Sequence, residues 1–268
     1  MLRLSIAVMG AVSSVVLTQI AAAADLPRKA PVAAPLSPVY NWTGFYVGGN
    51  IGGSWGRTST DYSLAGVPLG STSQNMDGWL GGIQLGYNWQ NGAWLFGVEA
   101  DVQATSQRGT AAVAGATPDI PCILFDPPAP ACTPGTGIAG TPGLLSYEQK
   151  LPWFATFRGR LGYTVTPTWL LYATGGLAVG EIKTNTLFAI PTAAVATNFS
   201  DTKAGWTIGA GVEWGFAPNW SVKLEYLYID FGHIDHTFNS IAPFTGSFVA
   251  TSHVTDHIGR AGINYRFN

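Results

Sequence analysis

Eight stretches of this chain alternate apolar with small or polar residues at a period of two, and that repetition restricts the fold more than any other feature. In Gly44 to Trp55, Phe45, Val47, Ile51 and Trp55 fall on one face and Tyr46, Asn50 and Ser54 on the other. The second stretch sets Trp79, Ile83, Leu85, Tyr87 and Trp89 against Leu80, Gln84 and Asn88. The third sets Trp94, Phe96, Val98 and Val102 against Leu95, Glu99, Asp101 and Gln103. The same pattern recurs over 153–163, 171–179, 206–216, 222–228 and 260–267. One such stretch is weak evidence of a half-buried strand. Eight with a consistent apolar face are the pattern of a membrane β-barrel.

The connections support this independently. Gln90-Asn91-Gly92, Thr166-Pro167-Thr168 and Ala217-Pro218-Asn219 make tight turns after the second, fourth and sixth stretches. The other links are long, about 56–78, 104–148, 181–204 and 231–253. Short periplasmic turns alternating with long external loops are expected of an outer-membrane barrel, with both chain ends on the periplasmic side. Trp42, Trp89, Trp94, Tyr163, Trp169, Trp214, Phe216, Trp220, Tyr265 and Phe267 then cluster near the periplasmic ends, as a headgroup-level aromatic girdle would.

Composition excludes other classes. Charged residues are only 10 % and aromatics 12 %, which argues against disorder. The 34 glycines argue against helical bundles, where each interior Gly costs roughly 1 kcal/mol relative to Ala. The net charge of −2 leaves no basic excess for nucleic acid. No stretch past the N-terminus reaches the ~18 consecutive apolar residues of a membrane helix. At the start, Arg3, an apolar run over Leu4 to Ile20 and the small residues Ala21 to Ala24 read as a signal peptide over 1–24, cleaved after Ala24. Residues 25–41, with Pro27, Pro31, Pro35 and Pro38, read as an extended periplasmic linker, and 42–268 as the barrel. The expected fold is therefore all-β: an eight-stranded antiparallel up-and-down transmembrane β-barrel in the bacterial outer membrane. A soluble lipocalin-like barrel would also alternate, with its apolar face inward.

Several segments carry a family resemblance. Asn41-Trp42-Thr43-Gly44-Phe45-Tyr46-Val47-Gly48-Gly49-Asn50-Ile51-Gly52 resembles the opening strand of the alphaproteobacterial outer-membrane immunogenic proteins, opacity-porin-like eight-stranded barrels often assigned to the porin family. Phe157 to Tyr163, Trp220 to Tyr228 and Arg260 to Phe267 resemble its fourth, seventh and eighth strands. The likeness covers about 42–268. It implies a surface-exposed protein without catalytic residues, inserted by the barrel assembly machinery and surrounded by outer-membrane lipid and lipopolysaccharide. Such barrels usually end on the aromatic residue that this machinery reads; here Asn268 follows Phe267.

Three sets of residues are candidate sites. Glu99, Asp101, Glu213, Glu225, Arg158, Arg160, Lys223, Arg260 and Arg266 fall on the inward face. An eight-stranded barrel is just wide enough for side chains to fill it. This set is either a neutralised network that stabilises the barrel or the lining of a narrow ion path. Cys122 and Cys132 share one long link, where an oxidising exterior favours a disulfide over free thiols. His233, His236, His253 and His257 all belong to the last hairpin. A register placing Tyr228 near Ala261 would bring His236 near His253 and His233 near His257. Those imidazoles, with Asp230, Asp235 and Asp256, would then suit a transition metal or haem; the alternative is a solvated polar loop. No cofactor is otherwise expected, and no triad or other catalytic motif is present, so the chain is read as a non-enzyme. The expected function is a structural and interaction role, through external loops that contact host or envelope components, with a narrow porin-like channel as the alternative.

Overall fold

The computed structural model describes residues 40–64, 66–116, 142–190, 193–239 and 247–267. Eight strands follow in order: β1 (Gly44–Leu64), β2 (Val67–Asn91), β3 (Trp94–Ala116), β4 (Pro142–Thr166), β5 (Trp169–Ile190), β6 (Ala193–Ala217), β7 (Trp220–Asn239) and β8 (Ser247–Phe267). Each pairs antiparallel with its sequence neighbours, and β1 pairs with β8, so the sheet closes and leaves no edge.

Strand alternation sorts the side chains as the sequence pattern requires. Ile51, Ile83, Leu85, Phe157, Leu177 and Leu224 point outward and are 60 % or more exposed. An apolar surface of this extent needs a non-aqueous surrounding. Two aromatic rings bound it. At the tight-turn end lie Trp89, Trp94, Tyr163, Trp169, Trp214, Phe216, Trp220, Tyr265 and Phe267, several in direct ring contact, such as Trp169 stacked on Trp214 at 5.8 Å. The second ring, which the sequence reading does not single out, is Trp55, Trp79, Trp153, Trp206, Tyr226 and Tyr228. The rings stand about ten residues apart along tilted strands, the length that crosses a bilayer's hydrocarbon core. The membrane-spanning segments accordingly end at Trp55, Trp79, Trp153, Trp206, Tyr228 and His257.

The structure corrects three expectations. First, most of the expected long loops are strand. β1 runs on to Leu64 and β2 begins at Val67, while β5 runs to Ile190 and β6 begins at Ala193. Beyond the second ring the outward positions turn polar, as Arg57, Ser59 and Asp61 do on β1, so the apolar outer face ends while pairing continues through contacts such as Ser59 with Ser73. Second, Trp42 is not a girdle residue. It is fully buried inside the barrel end, its indole Nε1–H donating to the Pro167 carbonyl at 3.0 Å. Tyr40 packs against it at 4.6 Å and is also buried, so the last residues of the expected linker belong to the barrel. Third, the β7–β8 register differs: Tyr228 faces His257, not Ala261.

Two bulges explain where simple alternation fails. In β7 the register shifts between Asp230 and His233, and Gly232 there has φ +70°, a conformation that side chains with a Cβ avoid. Phe231 and Ile234 therefore both point inward, with His233 outward. In β4 a shift around Pro152 turns both Leu151 and Phe154 inward and Trp153 outward. Proline has no N–H to give the ladder, which suits it to such a site.

Candidate functional site

All nine charged residues expected on the inner wall lie there, each almost wholly buried, and they form one connected network. Arg158 is its centre. Its Nη1 donates to Glu225 at 3.0 Å and its Nη2 to Asp101 at 2.7 Å and to Glu99. Arg260 reaches Glu225 through Nε at 2.7 Å and Asp101 through Nη2 at 3.1 Å. Lys223 Nζ donates to both Glu99 oxygens at 2.9 Å. Arg160 donates to Glu213 at 2.7 Å and to the Tyr46 hydroxyl at 2.9 Å, and the Tyr46 hydroxyl in turn donates to Glu99 at 2.7 Å. Arg266 lies 4.0 Å from Glu213, donates to the Asn41 carbonyl and stacks over Tyr40 and Trp42. Cross-strand register builds this set: Glu99 faces Arg158, Glu213 faces Lys223 and Glu225 faces Arg260. Charges taken out of water survive only when paired and hydrogen-bonded. All four carboxylates are so held, while Arg160 Nε, Arg260 Nη1 and Arg266 Nε and Nη2 are buried without a hydrogen-bond partner.

Neutral partners complete the network. Thr156 and Ser221 donate to Asp101 and Glu213, and the Arg160 guanidinium lies 3.9 Å from the Tyr172 ring centroid. Sequence reasoning places Tyr46, Thr156 and Tyr172 on the inward face by alternation but gives no reason to assign them to the ion network.

The network lies between two apolar layers. At the tight-turn end Tyr40, Trp42, Leu95, Leu170 and Tyr172 form one cluster. Beyond the charges, Met76, Leu80, Leu151, Phe154, Ile182, Leu227, Ile229, Phe231, Ile234 and Ile258 belong to a second. Along β7 the change is abrupt: Ser221, Lys223 and Glu225 give way to Leu227, Ile229 and Phe231. The sequence reading misses this second layer, because half of it comes from residues assigned to loops or re-aimed by bulges. A polar layer follows, in which Thr58 donates to Gln149 at 2.7 Å, Gln149 to Tyr147, and Ser252 bridges Tyr147 and Thr60. The inner face of β1 differs from the rest: Tyr46, Asn50 and Ser54 alternate with Gly48, Gly52 and Gly56, and Thr58 and Thr60 continue it.

One residue past the second ring, Asp256 points inward against Gly56, where an added Cβ would press on Asp256 Oδ1 and Gln107 Nε2. Gln107 donates to that carboxylate at 2.8 Å. Burial pushes the Asp256 carboxyl up to about 7, with Asp77 adding to the rise and the Gln107 and His257 hydrogen bonds opposing it.

The four histidines do not converge. His233 faces His253 and stacks on it at 4.7 Å, and His253 Nε2 is 3.0 Å from Asp230. His257 stacks on Trp55 and hydrogen-bonds the Tyr226 hydroxyl at 2.6 Å. His236 faces Ala250 and points inward, 3.5 Å from Asp201, where burial lowers its imidazole pKa. Tyr228 already faces His257 before the bulge, and the one-residue offset at Gly232 then sets His233 opposite His253 and His236 opposite Ala250. Among the described residues no three His, Cys, Asp or Glu side chains form a set able to hold a metal ion. Cys122 and Cys132 lie outside the described residues.

Comparison with known proteins agrees with this architecture. A family model described as outer membrane protein beta-barrel domain matches residues 15–267. The 31 kDa outer-membrane immunogenic protein of Brucella melitensis biotype 1 is 36 % identical over 270 residues, covering 95 % of this chain and 99 % of the relative. The 22 kDa outer membrane protein of Rhizobium leguminosarum bv. viciae is 30 % identical, covering 77 % of this chain and 72 % of its own. Among solved structures, the outer membrane protease OmpT from Escherichia coli aligns with a TM-score of 0.51 over 87 % of this chain and 100 % of that one. At 12 % identity that likeness concerns the fold alone.

Proposed function

We propose that this chain, which belongs to the outer membrane β-barrel domain family, is a closed outer-membrane scaffold whose role is to present long hairpins at the cell surface. In this reading the tight-turn end faces the periplasm and the extended hairpin ends of β1–β2, β3–β4, β5–β6 and β7–β8 face outward. The observation that carries it is the interior: a dense charge network in which every carboxylate is ion-paired, set between two apolar layers. An ion crossing such layers would have to shed its hydration with nothing to replace it. What remains for function is the part that projects beyond the second aromatic ring. The names of the Brucella relatives, immunogenic outer-membrane proteins, are in keeping with surface presentation.

The test shortens the hairpins. Joining β1 to β2 and β5 to β6 just beyond Trp55 and Glu181 is expected to leave a heat-modifiable barrel in outer-membrane fractions while reducing recognition of intact cells by antisera against the full protein. Unchanged recognition would show that the hairpins are not the exposed surface.

A second reading, a narrow path for ions or small solutes, is favoured by one feature. The polar inner face of β1 runs past the apolar layer, and buried atoms along or beside it, Asn50 Oδ1, Gln103 Oε1 and Gln107 Oε1, have no protein partner. Conductance separates the two readings.

A further inference from the structure

Just beyond the second aromatic ring, the outward face carries three cations in one cross-strand row. Arg108 on β3 faces Lys150 on β4, and Lys150 faces Lys183 on β5. Inner positions on these strands are taken by Gln107, Gln149 and Thr184, so the three cations lie on the outer wall, and Arg108 and Lys183 are exposed. Like charges directly opposite one another weaken a sheet. Glu148 and Glu181 each hold one of the lysines, yet the three cationic heads stay side by side on the outer wall, where a phosphate could bridge them.

Carboxylates are interleaved with the row. Glu148 holds Lys150 at 2.9 Å and accepts from Asn185 at 3.1 Å; Glu181 holds Lys183 at 3.4 Å and accepts from Ser200 at 2.6 Å. Asp77 faces Arg108 from β2. Hydrogen bonds from Lys150 and Asn185 keep the Glu148 carboxyl below its ordinary range, and those from Ser200, Lys183 and Trp153 help do the same for Glu181. The surface therefore offers fixed cations beside ionised acceptors. That combination suits a ligand bearing both phosphates and hydroxyls rather than a bare anion.

Position narrows the ligand further. Trp153, a member of the second ring, donates its Nε1–H to Glu181 at 3.0 Å, so the row starts where the apolar band stops. With the hairpin ends outward, this is the headgroup level of the outer leaflet. We propose that Arg108, Lys150 and Lys183 bind the phosphorylated sugar headgroup of an outer-leaflet glycolipid, with Glu148 and Glu181 accepting from its hydroxyls. The assignment rests on the outward orientation of the hairpins and is independent of whether the barrel conducts.

The test uses the full-length barrel in neutral detergent, with thermal unfolding followed by loss of the compact band on a gel. The probes are diphosphorylated lipid A, the same glycolipid stripped of phosphate, and inorganic phosphate. The phosphorylated glycolipid is expected to raise the midpoint by several degrees, with the other two at least tenfold less potent. The triple variant R108Q, K150Q and K183Q is expected to lose that shift and, without ligand, to be no less stable than the parent. Arg57→Gln, an exposed cation on β1 flanked by neutral Asn75 and Thr255, is expected to keep it. Should the triple variant not fold, Lys150→Gln and Lys183→Gln taken singly are each expected to weaken binding at least threefold. The proposal is overturned if the parent shows no shift, if phosphate-free glycolipid or inorganic phosphate acts equally, or if the substituted barrels bind like the parent. Correct outward placement of the hairpins is read separately by labelling intact cells.

Discussion

Arg158 holds three carboxylates at once, and its value to the fold follows from what its loss would leave behind. Arg158→Met would strand Glu99, Asp101 and Glu225 around one fewer cation in a site closed to water. Removal of one member of a buried ion pair costs about 3–5 kcal/mol. The urea midpoint of the refolded barrel is expected to fall accordingly, and an unchanged midpoint would mean that the interior is hydrated. Trp42 acts differently, through volume and one hydrogen bond to Pro167. Trp42→Ala should cost about 3–5 kcal/mol, as large-to-small core changes do, and should expose the charge network from the tight-turn end. The sequence sets Glu99, Arg158 and the other ionic residues on one face because alternation is uninterrupted there. It does not show that Trp42 turns inward, since an aromatic residue before a strand looks the same whether it enters the barrel or the girdle.

At the scale of the strands, the β7–β8 pair carries two separable expectations. The first concerns register. A disulfide should form between cysteines at 233 and 253, which face each other, and not between cysteines at 236 and 253. Efficient cross-linking of the second pair would contradict this register. The second concerns pH. Asp256 on β8 has its folded pKa raised from 3.8 to about 7, so folding takes up a proton between those values. The associated stability is fully present below about pH 4 and is lost as pH rises through 7. Melting of the parent should therefore weaken from pH 5 to pH 8, and Asp256→Asn should flatten that slope; a slope unchanged in the variant would place the titration elsewhere. Neither the bulge nor the extended hairpins are legible in the chain. A bulge inserts one residue without changing composition, as at Phe231-Gly232-His233. Outside the apolar band, Thr58, Ser59 and Thr60 pair as strand with polar side chains on both faces, so the alternation that betrays the membrane segments is missing.

The described residues form a closed sheet whose outer wall is apolar between two aromatic rings and whose interior is stacked in layers: apolar, charged, apolar, polar. Strand count, antiparallel order and the lipid-facing set follow from period-two alternation and from the regular spacing of tight turns. The interior layering depends on contacts between residues more than a hundred positions apart, such as Lys223 with Glu99, which no local pattern encodes. That layering is the basis for regarding the barrel as a scaffold rather than a conduit. Planar-bilayer recording of the purified full-length barrel tests it most directly, beside a variant that thins both apolar layers through Trp42→Ala, Phe154→Gly and Phe231→Gly. The parent is expected to insert without discrete current steps, and the variant to show them. Stable steps in the parent, of a size unaffected by those substitutions, would contradict a sealed interior.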